Sequence, residues 1–211
     1  MITLVSPAEE RVILHNVSWG TYERLLADFA NQSAPHLTFD QGVLEIMTPL
    51  PEHEKYNRLI ALLVAVVADA LGINMADFGS TTFKRSDLER GFEPDSCFYV
   101  QHEPRVRGKS TIDLHVDPPP DLVVEVEITR GSLNKLPLYA QIGVPEAWRY
   151  DGRRLSIFKL EHGDYVEVDK SDALPSLTSV LLTRFLDEGK SLPHTTWLRM
   201  LREWAAKNAG V

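Results

Sequence analysis

The spacing of apolar residues changes period several times along the chain, and each change predicts an element. VILHNV, residues 12 to 17, reads as a short strand. Ser18 is a candidate cap, and Tyr22, Leu25, Leu26 and Phe29 recur at the spacing of one helical face, predicting a helix over 19 to 31. In LTFDQGVLEIM two apolar runs surround Asp40-Gln41-Gly42, the pattern of a hairpin, which Pro49 and Pro51 then end. Leu59, Leu62, Leu63, Val66 and Val67 give a long helix from about 52 to 71 its inward face, with Gly72 as its stop.

Strands are predicted over 76 to 85 and 94 to 100, and a proline-rich connection, VDPPPD, leads into another strand, PPDLVVEVEIT. A helix over 132 to 142 would turn Leu136, Tyr139 and Ala140 to the sheet. PEAWRYDGRRLSIFKL reads as a second hairpin turning at Asp151-Gly152. A strand near 165 to 168 and helices over about 178 to 188 and 194 to 207 complete the chain. There is no internal repeat. The order of elements predicts an α/β (α+β) fold, a central mixed β-sheet flanked by helices. It forms a single domain over 1 to 211, with the C-terminal helices of about 178 to 207 as an appendage.

The strand over 119 to 129 breaks its own pattern. Side chains on a strand alternate faces, so Leu122, Val124, Val126 and Ile128 share one face, and Asp121, Val123, Glu125, Glu127 and Thr129 the other. Three carboxylates then line one side of an otherwise apolar strand. Either that side faces water, or something positive lies against it.

Composition narrows the classes. Of 211 residues, 44% are hydrophobic and 25% charged, values of a soluble globular protein long enough for a real core. One cysteine, Cys97, allows no disulfide within the chain and fits a reducing compartment. The N-terminus lacks the pattern of a signal peptide. Leu59 to Leu71, broken by Asp69, falls short of the roughly 20 residues that cross a bilayer. The expectation is a cytoplasmic protein without a membrane partner. A net charge of -8 argues against coating nucleic acid by bulk electrostatics, though not against an enzyme that neutralises phosphate through a metal ion.

Acidic residues are the recurrent candidates for chemistry. Asp95 and Asp121 each follow a proline at a strand start, and Glu125 and Glu127 lie about 6.6 Å apart on one strand face, close enough to reach a shared site. Carboxylate oxygens with several retained waters are what Mg²⁺ prefers. No zinc pattern, P-loop, GxGxxG or GxSxG sequence occurs. Lys135, at the start of the next helix, could point back over the strand end to orient a water and stabilise developing charge. His53 and Glu54 open the long helix, where they face either a cleft or solvent. Each has an ordinary alternative: helix-start acids, a solvated lysine, turn-forming aspartates, and for Glu127 an exposed strand position or an ion pair with Arg130. Glu125, flanked by valines, is the hardest to read that way.

The same residues carry a resemblance. PPDLVVEVEITRGSLNKLPLYAQIGVPEAWRYDG resembles the signature of the Uma-two family of putative restriction endonucleases, a branch of the PD-(D/E)XK nuclease superfamily. FDQGVLEIMTPLPEHEKYNRLI is loosely similar to the family's early pattern, and EPDSCFYV to its middle acidic strand. The resemblance covers roughly residues 20 to 160. It implies a restriction-endonuclease-like core and Mg²⁺ or Mn²⁺ as cofactor. Asp95 and Glu125 would be metal ligands, with Glu127 on the same strand face a further candidate ligand, and His53 a contact to phosphate or a support for the metal. The superfamily's lysine, two residues after its acid, is replaced here by Glu127, and Lys135 would stand in for it. The expected substrate is DNA, with Lys84, Arg85, Arg105 and Arg107 as candidates to touch its backbone. Rival readings are a catalytically inactive nuclease fold kept for binding or assembly, and a hydrolase of some other phosphate ester. TTWLRMLREWAA offers an apolar face that would serve either a homodimer or the chain's own sheet.

Overall fold

A computed structural model describes residues 9–30, 32, 34–128 and 133–208. The chain opens with β1 (Glu9–Leu14), which ends where Asn16 takes a left-handed φ of 58°, so the strand lies three residues earlier than its apolar run suggests. Helix α1 (Trp19–Phe29) starts at Ser18, whose hydroxyl accepts from the Thr21 N–H as an N-cap. Strands β2 (His36–Asp40) and β3 (Val43–Pro49) form the expected hairpin. Gln41 and Gly42 both have positive φ, 46° and 92°, as a two-residue turn of matching twist requires. Helix α2 (Pro51–Ala70) begins on a proline and stops before Gly72 at φ 68°.

The predicted strand over 76 to 85 is in fact two. Gly79, at φ 57°, donates its N–H to the Asp77 carboxylate, and the turn sends β4 (Ala76–Asp77) and β5 (Phe83–Arg85) to different sheets. Strand β6 (Arg90–Phe92) was not foreseen; it pairs with β5 through stacked Phe83 and Phe92. Then come β7 (Ser96–Tyr99), the short helix α3 (Glu103–Val106), β8 (Leu122–Val126), α4 (Leu136–Ile142), β9 (Glu146–Tyr150), β10 (Leu155–Glu161) and β11 (Asp164–Val168). Helices α5 (Ser179–Ser191) and α6 (His194–Asn208) follow.

The single central sheet of the sequence reading resolves into two. One is antiparallel, in the order β1-β3-β2-β6-β5; the other is mixed, in the order β11-β10-β9-β8-β7-β4, with β8 and β9 its parallel pair. On one face of the mixed sheet Leu122, Val124 and Val126 pack with α2, α5 and α6 in the largest core. On the other face Val123 and Cys97 pack against Leu138 and Tyr139 of α4. Strand β8 is therefore covered on both faces, as strands in parallel pairs usually are. The apolar face of α6 covers the chain's own core, with Trp197 and Leu201 buried and Trp204 edge-on to Phe185. Among the described residues no helix is long and apolar enough to cross a membrane.

Candidate functional site

Asp95 lies just before β7, and the antiparallel register, Ser96 opposite Val124, brings it beside the carboxyl end of β8. There its Oδ2 accepts the Val126 N–H at 2.7 Å. Helix α2 is tied to the same point: Asn57 donates to the Asp95 carbonyl at 2.9 Å and accepts the Ser96 hydroxyl at 2.7 Å. One helical turn earlier, on the same face, His53 places Nε2 3.1 Å from Asp95 Oδ2 and 3.5 Å from Glu9 Oε2. Asp95 Oδ1 has no hydrogen-bond partner among the described residues; His36 Nδ1 stands 3.7 Å away.

The acid-bearing face of β8 does not meet water. Lys135 Nζ lies 2.7 Å from Glu125 Oε2, and the Tyr139 hydroxyl donates to Oε1. Lys135 and Tyr139 are one turn apart at the start of α4, so both reach back onto the strand. Glu45 of β3 completes the surround, 2.8 Å from Arg11 Nη1 and 4.0 Å from Lys135 Nζ, and accepting the Leu133 N–H at 2.8 Å. Arg11 also reaches Glu9 at 3.0 Å.

The electrostatics follow from burial and company. Burial, aided by the charge of Asp95, pushes the Glu125 carboxyl up to about 7 in spite of Lys135 and Tyr139. Burial also works against the charge of Asp95, but His36, His53 and Lys135 outweigh it and hold that acid below the usual range. His53 and Lys135 likewise pay for burial and are still held above their ordinary values, His53 chiefly by Asp95 and Lys135 chiefly by Glu125. A cavity of about 510 Å³ opens onto Asp95, His36 and the first turn of α2.

Of the residues singled out in the sequence, Asp95, Glu125, Lys135 and His53 are thus gathered in one place. Glu127 lies just beyond β8, and its half-buried carboxylate faces Arg149 Nε at 3.9 Å. It shares with Glu125 the lining of a cavity of about 10 Å³, roughly the space of one water. Arg130, one alternative partner for it, and Thr129 fall outside the described residues. Asp121, so like Asp95 in sequence, anchors a loop by accepting the N–H groups of Val100 and His102 at 2.7 and 2.8 Å. Lys84, Arg85 and Arg107 pair with Glu23, Asp87 and Glu103, and Arg105 donates to the Val116 carbonyl at 3.4 Å.

Sequence reasoning missed Glu9, Arg11, His36, Glu45 and Tyr139. Glu45 carried the same signal as Glu125, a carboxylate between apolar strand residues, and Tyr139 stood on the predicted inner face of its helix. Glu9 and Arg11 gave no such signal.

Among the described residues no group of three or more His, Cys, Asp or Glu side chains is arranged to hold a metal ion unaided. Two carboxylates side by side, one with an unbonded buried oxygen, still suit a hard cation such as Mg²⁺. That ion is commonly held by one or two carboxylates, with waters and substrate phosphate completing its shell.

Comparison with known proteins gives three findings. The profile of the Uma2 family, described as putative restriction endonuclease, matches residues 19–189. The fold is similar to the crystal structure of a putative nuclease belonging to DUF820 from Anabaena variabilis, with a TM-score of 0.53 and 14% identity, over 76% of this chain and 98% of that one. Among curated proteins none matches.

Proposed function

The chain belongs to the Uma2 family of putative restriction endonucleases, and from that premise we propose that it is a Mg²⁺- or Mn²⁺-dependent endonuclease hydrolysing DNA phosphodiester bonds. One observation carries the reading. Asp95 and Glu125, both buried, meet across adjacent strands, with the Lys135 ammonium 2.7 Å from Glu125. Two buried carboxylates on facing strands are costly unless cations or protons compensate them, and His53 and Lys135 supply part of that compensation.

Asp95 and Glu125 would hold the metal, with Glu127 and a main-chain carbonyl near Val126 as further oxygen donors. A bound ion would supply Lewis acidity at the phosphoryl oxygen and make a water more acidic. Lys135 would orient the attacking water from the Glu125 side and steady the charge that develops on the phosphate. His53, whose affinity for a proton its carboxylate neighbours raise in spite of burial, would fix Asp95 in place and, when protonated, offer charge to the substrate phosphate.

A non-catalytic binding module has an observation of its own in support: both Glu125 oxygens are already engaged, by Lys135 and Tyr139. Incubation of supercoiled plasmid with Mg²⁺, Mn²⁺ or EDTA, beside Glu125→Gln, separates the two. Metal-dependent nicking that disappears in the variant is the expected result. A folded wild-type protein that cuts with neither metal would favour the binding module.

A further inference from the structure

Strand β2 divides its side chains between two faces. Leu37 and Phe39 turn into the core beneath α1, so His36 turns the other way, toward the acids of the site. There its Nδ1 faces Asp95 Oδ1 at 3.7 Å, too far for a hydrogen bond between them. His36 is 8% exposed and Asp95 2%, and neither atom has a hydrogen-bond partner among the described residues. Two buried polar atoms without a bond, one on each side of a short gap, are costly to keep.

A metal ion in that gap would satisfy both. Imidazole nitrogens and carboxylate oxygens lie about 2.0 to 2.2 Å from a bound first-row ion. Two such donors stand about 3 Å apart at a right angle and about 3.5 Å apart at the tetrahedral angle, so a small turn of the imidazole closes 3.7 Å to that range. The other Asp95 oxygen is already used, accepting the Val126 N–H. His53 faces that used oxygen and is wholly buried, with no part in the cavity wall. His36 and Asp95 do line the cavity of about 510 Å³, which leaves room for the waters a partly protein-held ion keeps. Its walls also suit a cation. Glu54 and Asp77 add acid, and Arg58, the one lysine or arginine among the described lining residues, is 2.5 Å from Glu54.

The donor types separate the candidate ions. Oxygen ligands alone serve Mg²⁺, whereas an imidazole nitrogen favours transition ions. We propose that His36 Nδ1 is a ligand of the ion held by Asp95, and that it makes the site select divalent first-row transition ions over Mg²⁺. As a ligand the imidazole is neutral, with its proton on Nε2. The inference rests on the nuclease reading only for a metal at Asp95, and its test needs no turnover.

Electron spin-echo spectroscopy of the full chain loaded with Mn²⁺ should show modulation from a directly bound nitrogen. His36→Gln should lose it, and His53→Gln should keep it. Glu125→Gln should bind Mn²⁺ more weakly and, at saturation, keep the nitrogen signal. In calorimetry His36→Gln should weaken Mn²⁺ binding at least about 10-fold and Mg²⁺ binding less than about 3-fold. If His36→Gln fails to fold, the wild-type and His53→Gln spectra decide.

A nitrogen-free wild-type spectrum, a signal that survives His36→Gln or vanishes in His53→Gln, or equal weakening of both ions would overturn the assignment, as would no binding of Mn²⁺. Metal-dependent nicking by a protein whose Mn²⁺ carries no nitrogen would remove the ligand and keep the nuclease. A nitrogen signal that depends on His36, without nicking in either metal, would keep the ligand and remove the nuclease.

Discussion

Replacing Glu125 by glutamine should change how stability depends on pH, and the size of the change follows from where the carboxyl sits. In the folded chain it titrates near 7, against an ordinary value of 4.5, because burial and Asp95 disfavour its charge more than Lys135 supports it. A carboxyl that holds its proton more tightly when folded makes folding take up protons between those two values. Its contribution to stability is therefore full below 4.5 and is lost as pH rises through 7. At about 1.4 kcal/mol for each pH unit, the whole interval is worth about 3 kcal/mol, of which about 2 to 3 falls between pH 5 and pH 8. Glutamine has nearly the same shape and does not titrate, and in the wild type Lys135 is held above its ordinary value, chiefly by Glu125. Urea unfolding of both proteins in EDTA, at half-unit pH steps, gives the comparison. The wild-type curve should fall relative to the Glu125→Gln curve by about 2 to 3 kcal/mol from pH 5 to 8. Adding Mn²⁺ at pH 8 should recover stability in the wild type and much less in the variant. Parallel pH curves would refute the argument, since they would mean that Glu125 ionises in the fold as easily as in water.

Three other substitutions probe the frame around the site. Asp121→Ala should cost about 2 to 4 kcal/mol in urea unfolding, because the Val100 and His102 N–H groups lose their acceptor; Mn²⁺ affinity measured by calorimetry should be unchanged. Glu146→Ala should cost about 3 to 5 kcal/mol, since this buried carboxylate accepts from Trp148, Ser171, Asp172 and Ala173 at 2.5 to 3.1 Å; Glu146→Gln should cost less. Gly91→Ala would put a methyl group 2.2 Å from the Tyr22 hydroxyl, on a ring stacked with Phe39. It should lower stability by about 1 to 3 kcal/mol, with part of the loss recovered in a Tyr22→Phe background.

The elements with a strong local signal were legible. Ser18 capped α1, the Gln41-Gly42 turn made its hairpin, and Gly72 ended α2. What the sequence hid is whatever depends on which strand lies beside which. The split of 76 to 85 between two sheets follows from one left-handed glycine, and local apolar spacing says nothing about sheet membership. The site divides in the same way. Glu125 stood out because valines flank it, and Lys135 because it lies a short way along the chain. Asp121 and Asp95 could not be told apart as prolyl aspartates; only pairing with β8 makes one a neighbour of Glu125 and the other a loop anchor. Glu9 and Arg11 arrive through β1, whose register with β3 is a long-range fact.

The parallel pairing of β8 with β9 has a consequence for the lysine. Two strands running the same way cannot be joined by a tight turn; the chain must leave the end of the first and cross over before it can enter the second. Here α4 is that crossing, and its opening residues necessarily pass over the end of β8 where Glu125 lies. A cation wanted beside that acid thus has two addresses in the same unit, one on the strand and one at the start of the crossing. Moving from one to the other requires two point substitutions and no change in the path of the backbone. A motif written as a fixed interval along the chain overlooks such a move, whereas a motif written as a position in space does not.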